Sequence, residues 1–316
     1  GIGREDLLFC LVSGGGSALM AAPVEGIRLS DLQAMTAGLL ACGARIDEIN
    51  ALRRRLDRLK GGGIAGLAKG AMVISLILSD VVGDPFEAIA SGPTAPDPTD
   101  RSAALAVVSK YGIGDRIPTP LLRALETGRE TPKPGDPIFR RVRNILVANN
   151  RIAAEAAAER ARAEGFGAEV TRTDLQGEAR EAGFSLAALL RERAESRGGL
   201  SAPECLVAGG ETTVTVRGTG KGGRNTELAL AAAIGLDGVR GTLLVSLATD
   251  GEDGPTDAAG AVANGETFGR AAGLGLDASG YLDRNDSFSY FARLGDLIKT
   301  GPSGTNVNDL VFLFKF

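Results

Sequence analysis

Apolar runs of strand length alternate with amphipathic stretches of helical period, and that alternation limits the fold more than any other feature of the chain. The runs at 7–12, 72–78 and 145–148 are short and nearly continuous, and helical patterns follow them. Such alternation predicts parallel α/β layers. The 316 residues suffice for two domains, each burying its own core. The predicted fold class is therefore α/β: two α/β domains with mostly parallel, Rossmann-like layered sheets and an interdomain cleft.

Within that frame, Ser30-Asp31-Leu32-Gln33 reads as a capping box opening a helix. Its Leu32, Met35, Leu39, Leu40 and Ile46 should pack against the sheet. A second helix, from about residue 48 to Lys60, turns Ile49, Leu52, Leu56 and Leu59 inward and leaves Arg53, Arg54, Arg55 and Arg58 elsewhere. Prolines thicken between residues 83 and 137, which marks connections. A helix at 151–164, a strand at 169–173 and a helix at 178–197 follow. The stretch 197–203 reads as a linker, so the domains are predicted as 1–197 and 204–316. In the second, 212–216 alternates like a half-exposed strand, 227–234 is a helix, 243–247 a buried strand, 249–257 an acidic loop and 310–314 the last strand.

Composition removes several chemistries. A net charge of −4 supplies no basic face for nucleic acid, so the expected partner is a small molecule. No apolar run is long enough to span a bilayer, which argues against a membrane. Cys10, Cys42 and Cys205 lie far apart and are odd in number, as expected of reduced thiols in the cytoplasm. Histidine is absent, which excludes a Ser-His-Asp triad, a Cys-His pair and His-ligated zinc. A hard cation held by oxygens, such as Mg²⁺, remains. Oligomeric state is left open.

Ser13-Gly14-Gly15-Gly16-Ser17 follows the first strand directly. Three glycines make a tight turn or a row of amides aimed at one anion; the place at a strand's carboxyl end favours the anion. Gly218-Thr219-Gly220-Lys221-Gly222-Gly223 holds G-x-G-x-x-G before a helix, but the strand before it alternates and no acidic residue lies about 20 positions on. It fails as a Walker A motif because Gly222 follows the lysine. Two readings stand: a hairpin turn, or a cationic loop that brings Lys221 over phosphates. Asp80 and Asp84 after one strand, and Asp250, Glu252, Asp253 and Asp257 after another, suit polar turns, Mg²⁺ ligation or acceptance of a hydroxyl proton. Lys60 ends an arginine-rich face and is either solvated or turned to phosphate.

Many segments, in order and over nearly the whole chain, resemble the glycerate 2-kinases whose C-terminal part is the MOFRL domain. They include residues 11–19, Glu48-Ile49-Asn50, Leu59-Lys60-Gly61-Gly62, Leu78-Ser79-Asp80-Val81, Ile89-Ala90-Ser91-Gly92-Pro93-Thr94, Gly209-Gly210-Glu211-Thr212, Gly223-Arg224-Asn225-Thr226-Glu227, Thr249-Asp250-Gly251 and Gly304-Thr305-Asn306-Val307-Asn308-Asp309. The resemblance implies transfer of the γ-phosphoryl of ATP, with Mg²⁺, to the 2-hydroxyl of D-glycerate. It implies catalytic roles for Arg224, Asp250 and Lys60, with Asp80 and Asp250 as metal ligands. Ser13, Gly14, Gly15, Gly16, Ser17, Ser91, Gly92, Thr94, Lys221 and Asn306 become the nucleotide-binding positions. Three departures stand out. Arg55 occupies a place where histidine is common, and Gly63 one where arginine is common. The chain begins at Gly1, where the family carries a further N-terminal segment with a lysine implicated in catalysis, so an N-terminal truncation is expected. The competing readings are a nicotinamide-dependent hydroxypyruvate reductase, a name that members of this family carry, and a noncatalytic binding protein.

Overall fold

A computed structural model describes residues 1–114, 116–196 and 203–316, and the chain divides into two compact units, Gly1–Val147 and Ala148–Phe316. The first unit holds a three-stranded sheet in the order β1 (Leu7–Val12), β2 (Met72–Leu78), β3 (Val142–Ala148), with β1 and β2 parallel from Leu7 opposite Met72 to Val12 opposite Ile77. The turn after β1 leads into a single helical turn, α1 (Gly16–Leu19). Four longer helices bury their own core: α2 (Leu29–Ala41), α3 (Ile46–Leu56), and, beyond the short α4 (Gly63–Leu67), α5 (Arg101–Lys110) and α6 (Thr119–Thr127). Leu32, Met35, Leu39, Ile49, Leu52, Leu56, Val107, Leu121 and Leu125 fill it. The i, i+3, i+7 spacing of Ile49, Leu52 and Leu56 places them on one face of α3, which explains why that face is fully buried.

The second unit is a six-stranded sheet between helical layers. Its strands are β4 (Gly167–Leu175), β5 (Glu204–Gly210), β6 (Thr242–Ala248), β7 (Gly260–Asn264), β8 (Leu297–Ile298) and β9 (Asp309–Lys315), in the order β4-β5-β9-β6-β7-β8. Alternation along β5 and β9 sorts the layers. Cys205, Val207 and Leu310 pack with α7 (Asn150–Ala163). Leu206, Ala208, Val311 and Leu313 pack with α8 (Ala179–Glu195) and α9 (Arg224–Gly235). Three short helices, α10 (Thr267–Gly273), α11 (Ala278–Asp283) and α12 (Ser287–Leu294), complete that second layer, with Tyr290 and Phe291 in its core.

The layered α/β class expected from the sequence is present, with a sharper picture of strand direction. β4 and β5 are parallel, but β9 runs antiparallel between β5 and β6, and β7 is antiparallel to β6, so this sheet is mixed. Residues 148–196, placed in the first domain by sequence, pack in the second unit, because β4 pairs with β5 and α8 shares a core with α9. All of the predicted linker except Pro203 falls outside the described residues. Three local expectations change. α2 packs on helices rather than on the sheet, and Leu40 and Ile46 are exposed. Its cap forms two positions earlier, with the Asp31 carboxylate accepting from the Arg28 N–H at 3.0 Å. Residues 212–216 form no strand: Thr213 donates its N–H to the Gly177 carbonyl, and the Glu178 carboxylate takes the Thr215 N–H.

Candidate active site

In the second unit, register decides what meets. Asp309 at the start of β9 lies opposite both Gly210 at the end of β5 and Ala248 at the end of β6. Residues following β5 and β6 and preceding β9 therefore converge at one sheet edge. It is the carboxyl edge of two codirectional strands, where α/β proteins bind ligands. Glu211, Asp250 and Asn306 line a cavity of about 770 Å³ there, together with Arg224, the first residue of α9.

The Arg224 guanidinium is held from two sides. Nε and Nη2 donate to the two carboxylate oxygens of Asp309 at 2.6 and 3.1 Å, and Nη1 donates to Glu211 at 2.7 Å. Burial pushes the Asp309 carboxyl up to about 6, although Arg224 pulls it down. The start of α9 is fixed by Asp253, which accepts the N–H groups of Asn225 at 2.9 Å and Thr226 at 2.8 Å and the Thr226 hydroxyl at 2.8 Å. These satisfy donors that a helix start leaves free. Below it, buried Glu227 accepts from Arg180 at 3.0 Å and Asn285 at 2.9 Å. Asp250 accepts the Glu252 N–H at 3.1 Å, and its own carbonyl takes the Ser303 N–H at 2.9 Å, tying the loop after β6 to the loop before β9.

The glycine loop before α9 has a different use from either one expected. Asn285 Oδ1 accepts the N–H groups of Arg217 at 2.8 Å and Gly218 at 3.0 Å; Gly220 donates to the Arg284 carbonyl, and Lys221 donates to Asp286. Cβ atoms on Gly218 and Gly220 would lie 2.3 and 2.5 Å from atoms of Arg284 and Asp286. The glycines permit that close approach, and their amides are committed within the chain. Lys221 is outside the cavity lining, with its ammonium 4.4 Å from the centre of the Phe288 ring.

In the first unit, the turn after β1 keeps the amides of Gly14, Gly15 and Ser17 without a protein acceptor among the described residues. The Ser17 hydroxyl is 2.9 Å from the Ser91 hydroxyl, which donates to Asn50 at 3.0 Å. Ala90, Ser91 and Gly92 all have positive φ, a strained run of the kind that gathers at functional sites. Asp80 stands over the turn: a Cβ on Gly14 would lie 2.4 Å from its carboxylate oxygen. Two expected residues point inward instead. Thr94 accepts from Ser75 at 2.9 Å and donates to Asn144 at 2.7 Å, so its hydroxyl serves the interior. Lys60, 3% exposed, donates to the Met20 carbonyl at 2.6 Å and lies 3.3 Å from Asp57. Arg55 pairs with Glu130.

Among the described residues no group of three or more Asp, Glu, Cys or His side chains gathers to hold a metal. Asp80 and Asp250 each offer a single carboxylate. Such a donor set fits Mg²⁺, which keeps waters and takes phosphate oxygens, better than a metal needing a full protein cage. Glu211, Glu227, Asn285 and Asn50 were missed as site residues. For Glu211, Asn50 and Glu227 the signal is their place in the ordered segments 209–212, 48–50 and 223–227; for Asn285 it is visible only in three dimensions.

Comparison with known proteins agrees with this architecture. Residues 1–126 match the domain of unknown function DUF4147 and residues 204–309 match the MOFRL family. The chain is 43% identical over 312 residues to the D-glycerate 2-kinase of Thermotoga maritima, covering 98% of this chain and 72% of that protein. It is 41% identical, over 98% of this chain and 70% of the relative, to a protein of Agrobacterium vitis with the provisional name hydroxypyruvate reductase. The crystal structure of glycerate kinase from Thermotoga maritima superposes with a TM-score of 0.93 at 43% identity, covering 100% of this chain and 74% of that one. No described helix is long and apolar enough to cross a membrane. The chain belongs to the glycerate kinase family built from a DUF4147 domain and a MOFRL domain.

Proposed function

We propose that this chain is a glycerate 2-kinase, an enzyme that moves a phosphoryl group from a nucleotide to glycerate. ATP is the donor, the 2-hydroxyl of D-glycerate the acceptor and 2-phosphoglycerate the product. The observation that carries the reading is the Arg224 guanidinium, held by Asp309 and Glu211 in the cavity that also contains Asp250 and Asn306. Phosphoryl transfer needs positioning and charge stabilisation more than covalent chemistry, so a chain without histidine can perform it. As the substrate hydroxyl oxygen bonds to phosphorus, the bond to the bridging oxygen of the nucleotide breaks and the hydroxyl proton passes to Asp250. Arg224 meets the charge of the transferring group.

The Ser13–Ser17 turn receives nucleotide phosphate on its free amides, with Ser91 and Gly92 behind it. A carboxylate at that turn would repel phosphate, so Asp80 is the residue that would hold Mg²⁺ there. When bound, the ion neutralises phosphate charge. Lys60 holds the Met20 segment behind the turn in place and acts on the reaction through that support. The reductase alternative loses its local basis, because the G-x-G-x-x-G amides at 218, 220 and 221 are already engaged.

The test is release of ADP from ATP, Mg²⁺ and D-glycerate by the protein, set beside oxidation of NADH with hydroxypyruvate. ADP release without NADH oxidation is expected, and the reverse result overturns the reading. Arg224→Ala should lower kcat/KM by about a hundredfold or more, as loss of an oxyanion donor does elsewhere.

A further inference from the structure

Three successive arginines of α3 have three different fates. The Arg54 guanidinium lies 2.9 Å from Asp97 and donates to the Glu87 carbonyl at 3.0 Å. Arg55 grips both oxygens of Glu130. Successive helical residues point about 100° apart, so Arg53 is turned away from both carboxylates. Among the described residues it makes no ion pair or hydrogen bond. Burial lowers the pKa of its guanidinium, as expected for a cation taken partly out of water with no counter-charge.

Arg53 lines a cavity of about 300 Å³ with Ser17, Gln33, Thr36, Asp57 and Lys60, between α3 and the alanine and leucine side chains of α2. Lys60 and Asp57 neutralise each other, and Lys60 is further tied to the Met20 carbonyl. One uncompensated positive charge remains, and it is on Arg53. Ser17 belongs to this cavity and also to the glycine turn, so a ligand anchored by Arg53 lies beside that turn.

We propose that Arg53 is an anion anchor of this cavity, binding the carboxylate or phosphoryl oxygens of a ligand that also contacts the Ser13–Ser17 turn. The choice between those two anions rests on the kinase reading, since a hydroxy acid and a nucleotide are what that reaction brings to the protein. A planar guanidinium suits both through paired hydrogen bonds.

Calorimetric titration of the wild type, Arg53→Met and Arg53→Lys with ADP, inorganic phosphate and D-glycerate, each separately, decides the matter. Arg53→Met should weaken at least one of these ligands by about tenfold or more, with partial recovery in Arg53→Lys, in line with loss of a charge-assisted contact. Weakening confined to ADP and phosphate assigns Arg53 to phosphoryl oxygens, and weakening confined to D-glycerate assigns it to the carboxylate. Values within twofold of wild type for all three ligands overturn the proposal, as does a wild type that binds none of them. Phenylglyoxal modification of the wild type, mapped by peptide mass, needs no folded variant: the bound ligand should protect Arg53, and an equal rate with and without ligand also overturns it. Arg53-dependent binding in a protein that releases no ADP would sink the kinase reading alone.

Discussion

Asp309 is almost wholly buried, and burial pushes its carboxyl up to about 6 while the Arg224 guanidinium works against that rise. The sign for stability follows from proton counting. Between its ordinary value of 3.8 and about 6 the folded state holds a proton that the unfolded chain has released, so this group's contribution is full below 3.8 and is lost as pH rises to about 6. Activity should move the other way, because only the ionised carboxylate forms the two-point pair with Arg224. From pH 5 to pH 8, kcat/KM should therefore rise about tenfold along an acid limb near 6. Asp309→Asn should be slower and lack that limb; an unchanged pH profile would show that Arg224 is placed without it. At this scale part of the candidate site was legible, since Arg224, Asp250 and Asn306 stand in recognisable segments and line one cavity. Lys221 and Thr94 were not, because a side chain's direction depends on neighbours far along the chain: Phe288 for one, Ser75 and Asn144 for the other.

Among the elements, α9 bears most directly on the site, since its first residue is Arg224 and its cap is Asp253, 28 residues beyond Asn225 in the chain. Burial raises the Asp253 carboxyl against the pull of the Asn225 and Thr226 N–H groups. Asp253→Ala should cost about 2–3 kcal/mol, from the lost cap and the buried donors left unpaired, read as a lower urea midpoint. Asp253→Asn keeps an acceptor and should lose less. Equal losses in the two variants would show that capping is not what Asp253 supplies. Helices were expected over the stretches of α3, α7, α8 and α9, and on α3 the periodicity also named the buried Ile49, Leu52 and Leu56. The supposed strand at 212–216 did not form: its period of two reflected a loop threaded between Gly177 and Asn285, and two alternating valines carry too little information to separate these cases.

On the scale of the whole chain, each unit has its own core, and the second is a sheet covered on both faces. Leu228, 2% exposed on α9, sits in the larger of the cores in that unit. Leu228→Ala should cost about 2–5 kcal/mol through lost burial and the cavity left behind. Hydrogen exchange should show the added openings within residues 148–316, and openings confined to residues 1–147 would contradict this account of the cores. The domain limit at 197 was drawn from composition alone. The pairing of β4 with β5 places the 148–196 segment in the second unit, and strand pairing between distant segments leaves no local mark.

The sequence by itself determined the α/β layering, the two-part organisation, the exclusion of imidazole chemistry and the ordered segments that resemble one kinase family. These are properties of local periodicity and residue type, which each stretch carries alone. Tertiary structure decided the rest. It inserted β9 between β5 and β6, so that Glu211, Asp250, Asn306 and Arg224 share one edge. It used the glycines at 218 and 220 for packing rather than for phosphate. It also separated three adjacent arginines into two that are paired and one that faces a cavity. The physical reason is the same throughout. Burial, register and counter-charge are set by partners as far apart in the chain as Asn150 and Asp309, and no single stretch contains them.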